Sequence, residues 1–249
     1  MTNRREAIDQ KSGLDLMRTD LGVQASEVPA VNRNVMLYWD DADPFPADII
    51  AVSEKWRKFC PAWNVTLFGK ETAFCFLRDK FGGDVARLFL ACAFPAMRSD
   101  FFRVFWAISE GGIYSDVSFV PAREPLFFDA AKDLVVPRRS NGGIVINGFF
   151  FSKKDCKELK LIAYEIMKAV SKKEIPCILH ATGPGAWMRA LSPYETSTMA
   201  ILEWEDLLGD HLELSKYRSS VHSTPKHWKW QQLIKKIYQD PHDMPAMSP

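Results

Sequence analysis

Residues 97–120, MRSDFFRVFWAISEGGIYSDVSFV, constrain this chain more than any other stretch. Pro95 to Glu110 reads as a helix. Proline suits its first turn, where the missing N–H has no helical partner. Gly111 and Gly112 stop it, because glycine takes the left-handed conformation that a helix end needs. The helix is apolar nearly all round, through Phe101, Phe102, Val104, Phe105, Trp106, Ala107 and Ile108. Such a helix belongs inside the protein. It nevertheless carries Arg98, Asp100 and Arg103, and the last two, three apart, share a face. Buried charges need partners or a ligand. On the helix alone, an internal ion pair that braces the fold is the favoured reading over the wall of a pocket.

Ile113 to Val120 reads as one strand, rich in β-branched and aromatic residues. Alternation sends Ile113, Ser115, Val117 and Phe119 to one face and Tyr114, Asp116 and Ser118 to the other. A phenol, a carboxylate and a hydroxyl then stand in a row. Oxygen ligands two residues apart can reach one divalent cation, and such a cation can hold a diphosphate.

The length, 249 residues, suits one α/β domain or two small ones, and one is the favoured reading. An apolar content of 47%, with 8 Trp and 17 Phe, is ample for its core. Basic and acidic residues balance at 32 and 31, which argues against a nucleic-acid partner. The start, MTNRREAIDQKSG, lacks the apolar core of a secretory signal, and no apolar run is long enough to span a bilayer. Cys60, Cys75, Cys92, Cys156 and Cys177 are scattered and odd in number, so they read as reduced thiols. Together these features lead to the expectation of a cytoplasmic protein. Peripheral contact with the inner face of a membrane stays open.

Residues 1–30 read as an accessory helix or a disordered segment, 31–239 as the folded domain and 240–249 as a flexible tail. Val35 to Trp39 is a short apolar run, the first buried strand of a parallel sheet. A helix over 47–59, a strand over 64–68 and a helix over 70–81 follow. Asp84 is expected to cap a helix from Val85 to Phe94. Leu134 to Pro137 reads as a strand. Gly143 to Phe151 reads as two short strands meeting at Asn147-Gly148, a strong turn pair. Cys156 to Lys172 is an amphipathic helix, and Trp230 to Tyr238 a last one. No Gly-x-Gly-x-x-Gly follows the first strand, which disfavours a dinucleotide-binding dehydrogenase.

Ser99-Asp100, Arg103, Gly111-Gly112-Ile113-Tyr114 and Asp116 together resemble the core signature of glycosyltransferase family 32, the sugar-binding region containing the DXD motif, a version of which the large glucosylating toxins share. Ser118 stands where that family has its second aspartate, so the DXD is degenerate, Asp116-Val117-Ser118. Further resemblances follow in order: Trp39 at the first strand, Pro61 and Trp63 before the second, Asn147 with Ser152-Lys153, Thr182-Gly183-Pro184 after the amphipathic helix, and a closing His222, spacer and Trp228.

The resemblance implies a GT-A type, Rossmann-like α/β fold, a central mostly parallel sheet flanked by helices. It implies a retaining glycosyltransferase that moves a sugar from a UDP- or GDP-sugar to a saccharide or glycolipid acceptor, in bacterial surface polysaccharide or lipopolysaccharide synthesis. The other reading is a degenerate transferase that binds a nucleotide sugar without transfer. By the same resemblance, Asp100, Arg103 and Asp116 are the catalytic set. Tyr38, Trp39, Ser99, Gly112, Tyr114, Ser118, Asn147 and Trp228 contact the donor. Asp116, Ser118 and His222 are the ligands of Mn2+ or Mg2+. A flat indole at Trp39 offers a face to a base, and a core tryptophan is the alternative. Asn147 offers donors and acceptors to sugar hydroxyls, and a plain turn residue is the alternative there. A serine hydroxyl is a poor substitute for an anionic ligand, so Ser118 leaves open a metal held by Asp116, His222 and water, metal-free catalysis, or lost transfer.

Overall fold

The computed structural model describes residues 32–40, 44–123, 131–140, 143–191, 197–215, 228–233 and 235–239. Residues 1–30, the tail 240–249, the 124–130 connector and His222 lie outside them. Five strands of the main sheet are β1 Asn34–Tyr38, β2 Asn64–Phe68, β3 Gly112–Ser115, β5 Leu134–Arg138 and β6 Phe149–Ser152. The sixth is β7, Met199–Glu203. Their spatial order is β2-β1-β3-β6-β5-β7. β1 is parallel to β2 and β3, β5 is parallel to β7, and β6 runs antiparallel to both β3 and β5. All the others therefore point the same way, which makes the sheet mostly parallel. A separate antiparallel pair joins β4, Phe119–Pro121, to β8, Leu212–Leu214.

The period-2 alternation of the strands splits the apolar residues between two cores. Met36, Tyr38, Tyr114, Val136 and Phe150 face one layer of helices. These are α2 Lys70–Phe81, α3 Gly83–Ala91, α4 Pro95–Glu110, α5 Lys157–Lys172, α6 Ile178–Ala181 and α7 Pro184–Leu191. Val35, Leu37, Ile113, Val135 and Phe151 face the other side. There α1, Ala47–Phe59, contributes Ile49, Val52 and Trp56, and α8, Trp204–Leu207, contributes Trp204 and Leu207. The Trp56 indole N–H donates to the Phe119 carbonyl at 3.3 Å, tying α1 to β4.

The helix over 95–110 matches its expectation, and its burial has a simple cause. It lies between the sheet at β1 and β3 and the helices α2, α3 and α5. The α1, β2 and α2 expectations also match. The 113–120 strand does not. It breaks after Ser115 into a turn over 116–118, and β4 leaves to pair with β8. The break comes from outside the segment: the Asp116 amide donates to the Gly148 carbonyl at 2.7 Å, and the Phe119 amide to the Asp116 carbonyl at 3.0 Å.

Other differences are smaller. Gly82, whose φ of 90° suits glycine, takes the N-cap position of α3, so Asp84 sits in the first turn instead of capping. α3 also stops at Ala91, because the Ala91 carbonyl accepts from the Gln239 amide and the Ala93 amide donates to Ile237. The last helix is correspondingly short, Trp228–Gln231, with residues 237–239 laid against 91–93. Of the two strands expected over 143–151, only β6 forms; Val145 makes a single bridge to Arg138. The five cysteines are free thiols.

Gly112 adopts φ +111° and lies so close to β1 that a Cβ there would fall 2.3 Å from the Asn34 carbonyl oxygen. Gly112→Ala therefore combines backbone strain with overpacking. It is expected to lower unfolding stability by about 2–5 kcal/mol in urea titrations. An unchanged midpoint would contradict this placement of β3 against β1.

Candidate active site

Asp100 and Arg103 project from α4 onto the face of β3 that carries Tyr114. Arg103 is 4% exposed. Each nitrogen of its guanidinium is engaged. Nε donates to the Ser99 carbonyl at 3.1 Å, and Nη1 to the Asn147 carbonyl at 2.6 Å. Nη2 donates to Ser99 Oγ at 3.0 Å and lies 3.0 Å from Asp100 Oδ1 and 3.3 Å from Asp116 Oδ1. The guanidinium also stacks on the Tyr114 ring, 4.3 Å from its centroid. A buried cation persists only with such pairing. Two carboxylates meet one guanidinium here, which leaves a net negative charge. Asp116, whose side chain is 35% exposed, carries that excess to solvent.

Asp100 is held at both oxygens. Asn147 Nδ2 donates to Oδ1 at 2.9 Å, and the Thr182 hydroxyl to Oδ2 at 3.1 Å. Burial pushes its carboxyl up to about 6; the Asp116 charge adds to this, while Arg103, Thr182 and Asn147 oppose it. Burial likewise drives the Tyr114 phenol well above its ordinary value, so it remains a neutral donor. The Tyr114 hydroxyl donates to Asp116 Oδ1. It also lies 2.9 Å from Ser99 Oγ. A second carboxylate site lies nearby in sequence. Arg98 donates from Nε and Nη2 to the two oxygens of Asp40, at 2.6 and 2.7 Å, and from Nη1 to the Cys92 carbonyl at 2.5 Å. This pair is closed and buried, and it braces α4 against the end of β1.

The sequence-predicted residues are thus divided. Ser99, Asp100, Arg103, Tyr114, Asp116 and Asn147 converge. Tyr38 does not offer a ring to a ligand: it is 5% exposed, packs on Phe89 and Phe102, and spends its hydroxyl on Asp40 at 2.5 Å. Trp39 follows the carboxyl end of β1, half-buried. Gly112 opens β3 at the end away from Asp116, where close packing against Asn34 accounts for it. Ser118 is half-buried in the turn, and its carbonyl accepts from the Ser215 amide at 2.9 Å. The turn removes the alternation that aligned Ser118 with Asp116. Trp228 opens the last helix. Among the described residues, no three His, Cys, Asp or Glu side chains converge as a metal set. Thr182 and Gly148 also belong to the cluster, although neither is among the site residues that the sequence suggests. The Thr182-Gly183-Pro184 step was the one available signal for the former, and the Asn-Gly turn for the latter.

The cluster lies at the carboxyl ends of β1 and β3, where open α/β sheets bind ligands. No family model matches the chain. A solved structure described as the PaToxG glycosyltransferase superposes with a TM-score of 0.55 at 17% identity, covering 66% of this chain and 69% of that one. The fold is of the GT-A type. The catalytic domain of alpha-toxin from Clostridium novyi superposes less well, with a TM-score of 0.41 at 10% identity over 65% and 63% of the two chains. In sequence, the initiation-specific alpha-1,6-mannosyltransferase of Schizosaccharomyces pombe is 26% identical over 102 residues, 39% of this chain. The match spans about a quarter, 26%, of that relative's length.

The raised carboxyl of Asp100 has a consequence for stability. Its folded value, about 6, lies above the ordinary 3.8, so the folded state holds this proton more tightly than the unfolded state. Burying Asp100 then costs nothing below pH ~4, and the cost grows as pH rises to about 6 and is constant above, reaching roughly 3 kcal/mol. Urea titrations of wild type and Asp100→Asn at pH 4 to 8 are expected to show wild type losing ground across that window alone. A difference independent of pH would contradict the assignment.

Proposed function

We propose that the chain is a retaining glycosyltransferase of the family 32 type, taking its sugar from a UDP- or GDP-sugar. The observation that carries this reading is Asp116. It stands at the carboxyl end of β3 in a GT-A fold, reaches solvent, and is fixed from beneath by Arg103 and Tyr114. The glycosyltransferases among the similar proteins support the donor class. The acceptor in this proposal is a saccharide or glycolipid, as in bacterial surface polysaccharide synthesis.

Transfer breaks the bond between the anomeric carbon and the diphosphate oxygen. A new bond forms to an acceptor hydroxyl on the same face, and the hydroxyl proton leaves on the departing phosphate. Negative charge develops on the diphosphate, so the site must stabilise it. Mg2+ and Mn2+ commonly bind through one or two carboxylates plus substrate phosphates. A single outward carboxylate fits such a cation better than a dedicated protein cage. Asp116 would hold it, with His222 a further candidate, and the cation would neutralise the leaving diphosphate. Arg103 acts by position in this reading. Its nitrogens are engaged within the protein, and it sets where Asp100, Asn147 and Asp116 stand. Trp39, beyond the end of β1, is the candidate platform for the base.

Ser118 favours a second reading, a protein that binds a nucleotide sugar without transferring it. Incubating the chain with UDP- and GDP-sugars, with and without manganese, separates the two: turnover supports the transferase, and thermal stabilisation without turnover supports the binder. Asp116→Ala is expected to cut turnover at least ~100-fold; the protein still folds, since Arg103 keeps Asp100, but its melting temperature falls because Arg103 and Tyr114 each lose a partner. Retained turnover would remove Asp116 from the chemistry. Ser118→Asp is expected to steepen the manganese dependence, and a flat response places Ser118 outside the metal site.

A further inference from the structure

The two oxygens of Asp116 live in different surroundings. Oδ1 is the inner one. It accepts from the Tyr114 hydroxyl and faces Arg103 Nη2 at 3.3 Å. The direction of the hydrogen bonds follows by elimination. A carboxylate can only accept, so the Tyr114 proton is spent on Asp116. Arg103 Nη2 donates to Ser99 Oγ at 3.0 Å, so the Ser99 proton must go to the Tyr114 oxygen, 2.9 Å away. The chain of donors therefore runs from Arg103 through Ser99 and Tyr114 and ends on Oδ1.

Oδ2 is the outer oxygen, and it rests over Gly148. A Cβ placed on Gly148 would lie 2.5 Å from Oδ2 and 3.3 Å from the Phe119 ring. The first distance is about 1 Å short of ordinary van der Waals separation. The backbone of the same glycine holds Asp116 from the other side, since the Asp116 amide donates to the Gly148 carbonyl at 2.7 Å. Its neighbour Asn147 reaches the rest of the cluster, donating to Asp100 Oδ1 at 2.9 Å and accepting from Arg103 Nη1 at 2.6 Å.

We infer that Gly148 is a positioning residue for Asp116: its bare Cα leaves the space in which the outer carboxylate oxygen sits, and so presents Oδ2, and not Oδ1, to the cation and donor diphosphate. The glycine is needed for that space; its conformation sets no such demand, because only the clash with Asp116 and Phe119 opposes a side chain there. This rests on the transferase reading for what Oδ2 meets, while the placement of the carboxylate itself does not.

Gly148→Ala tests it. The atom that must yield is the end of a flexible side chain, so the variant is expected to fold. Its crystal structure is expected to show the Asp116 carboxylate turned or moved by roughly 1 Å, with α4 and β3 in place. Mn2+ binding, read by electron paramagnetic resonance in the presence of the nucleoside diphosphate UDP or GDP, is expected to weaken about tenfold. The kcat is expected to fall on the order of 100-fold, as displacements of this size do, with a smaller change in donor KM. Tyr114→Phe reaches the same carboxylate from its inner oxygen without adding volume. It should weaken Mn2+ binding in the same way, and it keeps the test open should Gly148→Ala fail to fold. An unmoved carboxylate in Gly148→Ala overturns the inference whatever the protein does. An unmoved Mn2+ affinity in both variants, beside a wild type that binds and turns over donor, overturns it while sparing the transferase reading. A wild type that shows neither binding nor turnover rejects the transferase reading and the role of Oδ2 with it.

Discussion

A single buried guanidinium serving two carboxylates organises this molecule. Arg103 is engaged by five residues: Ser99 and Asp100 on α4, Tyr114 on β3, Asp116 after it and Asn147 before β6. Removing one partner of such a buried pair leaves an uncompensated charge, typically at a cost of about 3–5 kcal/mol. The geometry of the cluster is therefore coupled to the stability of the domain. Helix α4 cannot slide along the sheet without breaking it, and neither the turn at 116–118 nor the one at 147–148 can move alone.

The same helix carries a second guanidinium with a different fate. Arg98 meets Asp40 with both oxygens matched, and both side chains are below one-tenth exposed, at 8% and 9%. That pair is closed and pins α4 to the end of β1. The Arg103 cluster has one carboxylate too many for closure, and the extra one faces out. The contrast between a saturated pair and an unsaturated one separates the brace from the site, although both sit in one apolar helix and look alike in sequence. It also separates Asp100 from Asp116. Asp100 has every oxygen committed to side chains, and burial holds its carboxyl near 6. Asp116 is the acid that a ligand can reach.

Much of the framework was legible because its signals are local. Pro95 and the Gly111-Gly112 pair mark both ends of α4, and the apolar runs of β1 and β2 lie where their turn residues bound them. The break after Ser115 was not legible. Alternation continues unbroken through Phe119, and what ends the strand is the Gly148 carbonyl, more than thirty residues on, together with the pairing of β4 with β8. The place of Tyr38 was hidden for a related reason. An aromatic at a strand end can face a ligand or the core, and only the packing of Phe89 and Phe102 around it decides. Thr182 contributes a lone hydroxyl from a distant helix junction, and nothing in its own segment announces Asp100 as its partner. Within the compound motif Ser99, Asp100, Arg103, Tyr114 and Asp116 converge, whereas Gly111 and Gly112 lie at the opposite end of β3. The wiring inside the cluster, and the burial of Arg103 and Tyr114, follow from tertiary contacts.

In the proposed function Asp116 is the contact between this scaffold and an activated sugar, with Arg103 and Tyr114 holding it in place. A crystal structure of the chain with a bound UDP- or GDP-sugar examines that most directly. Diphosphate density is expected at the carboxyl ends of β1 and β3, beside the outer oxygen of Asp116, with the Arg103 pairs unchanged. Density for the nucleotide sugar at another part of the surface, with Asp116 untouched, would contradict it.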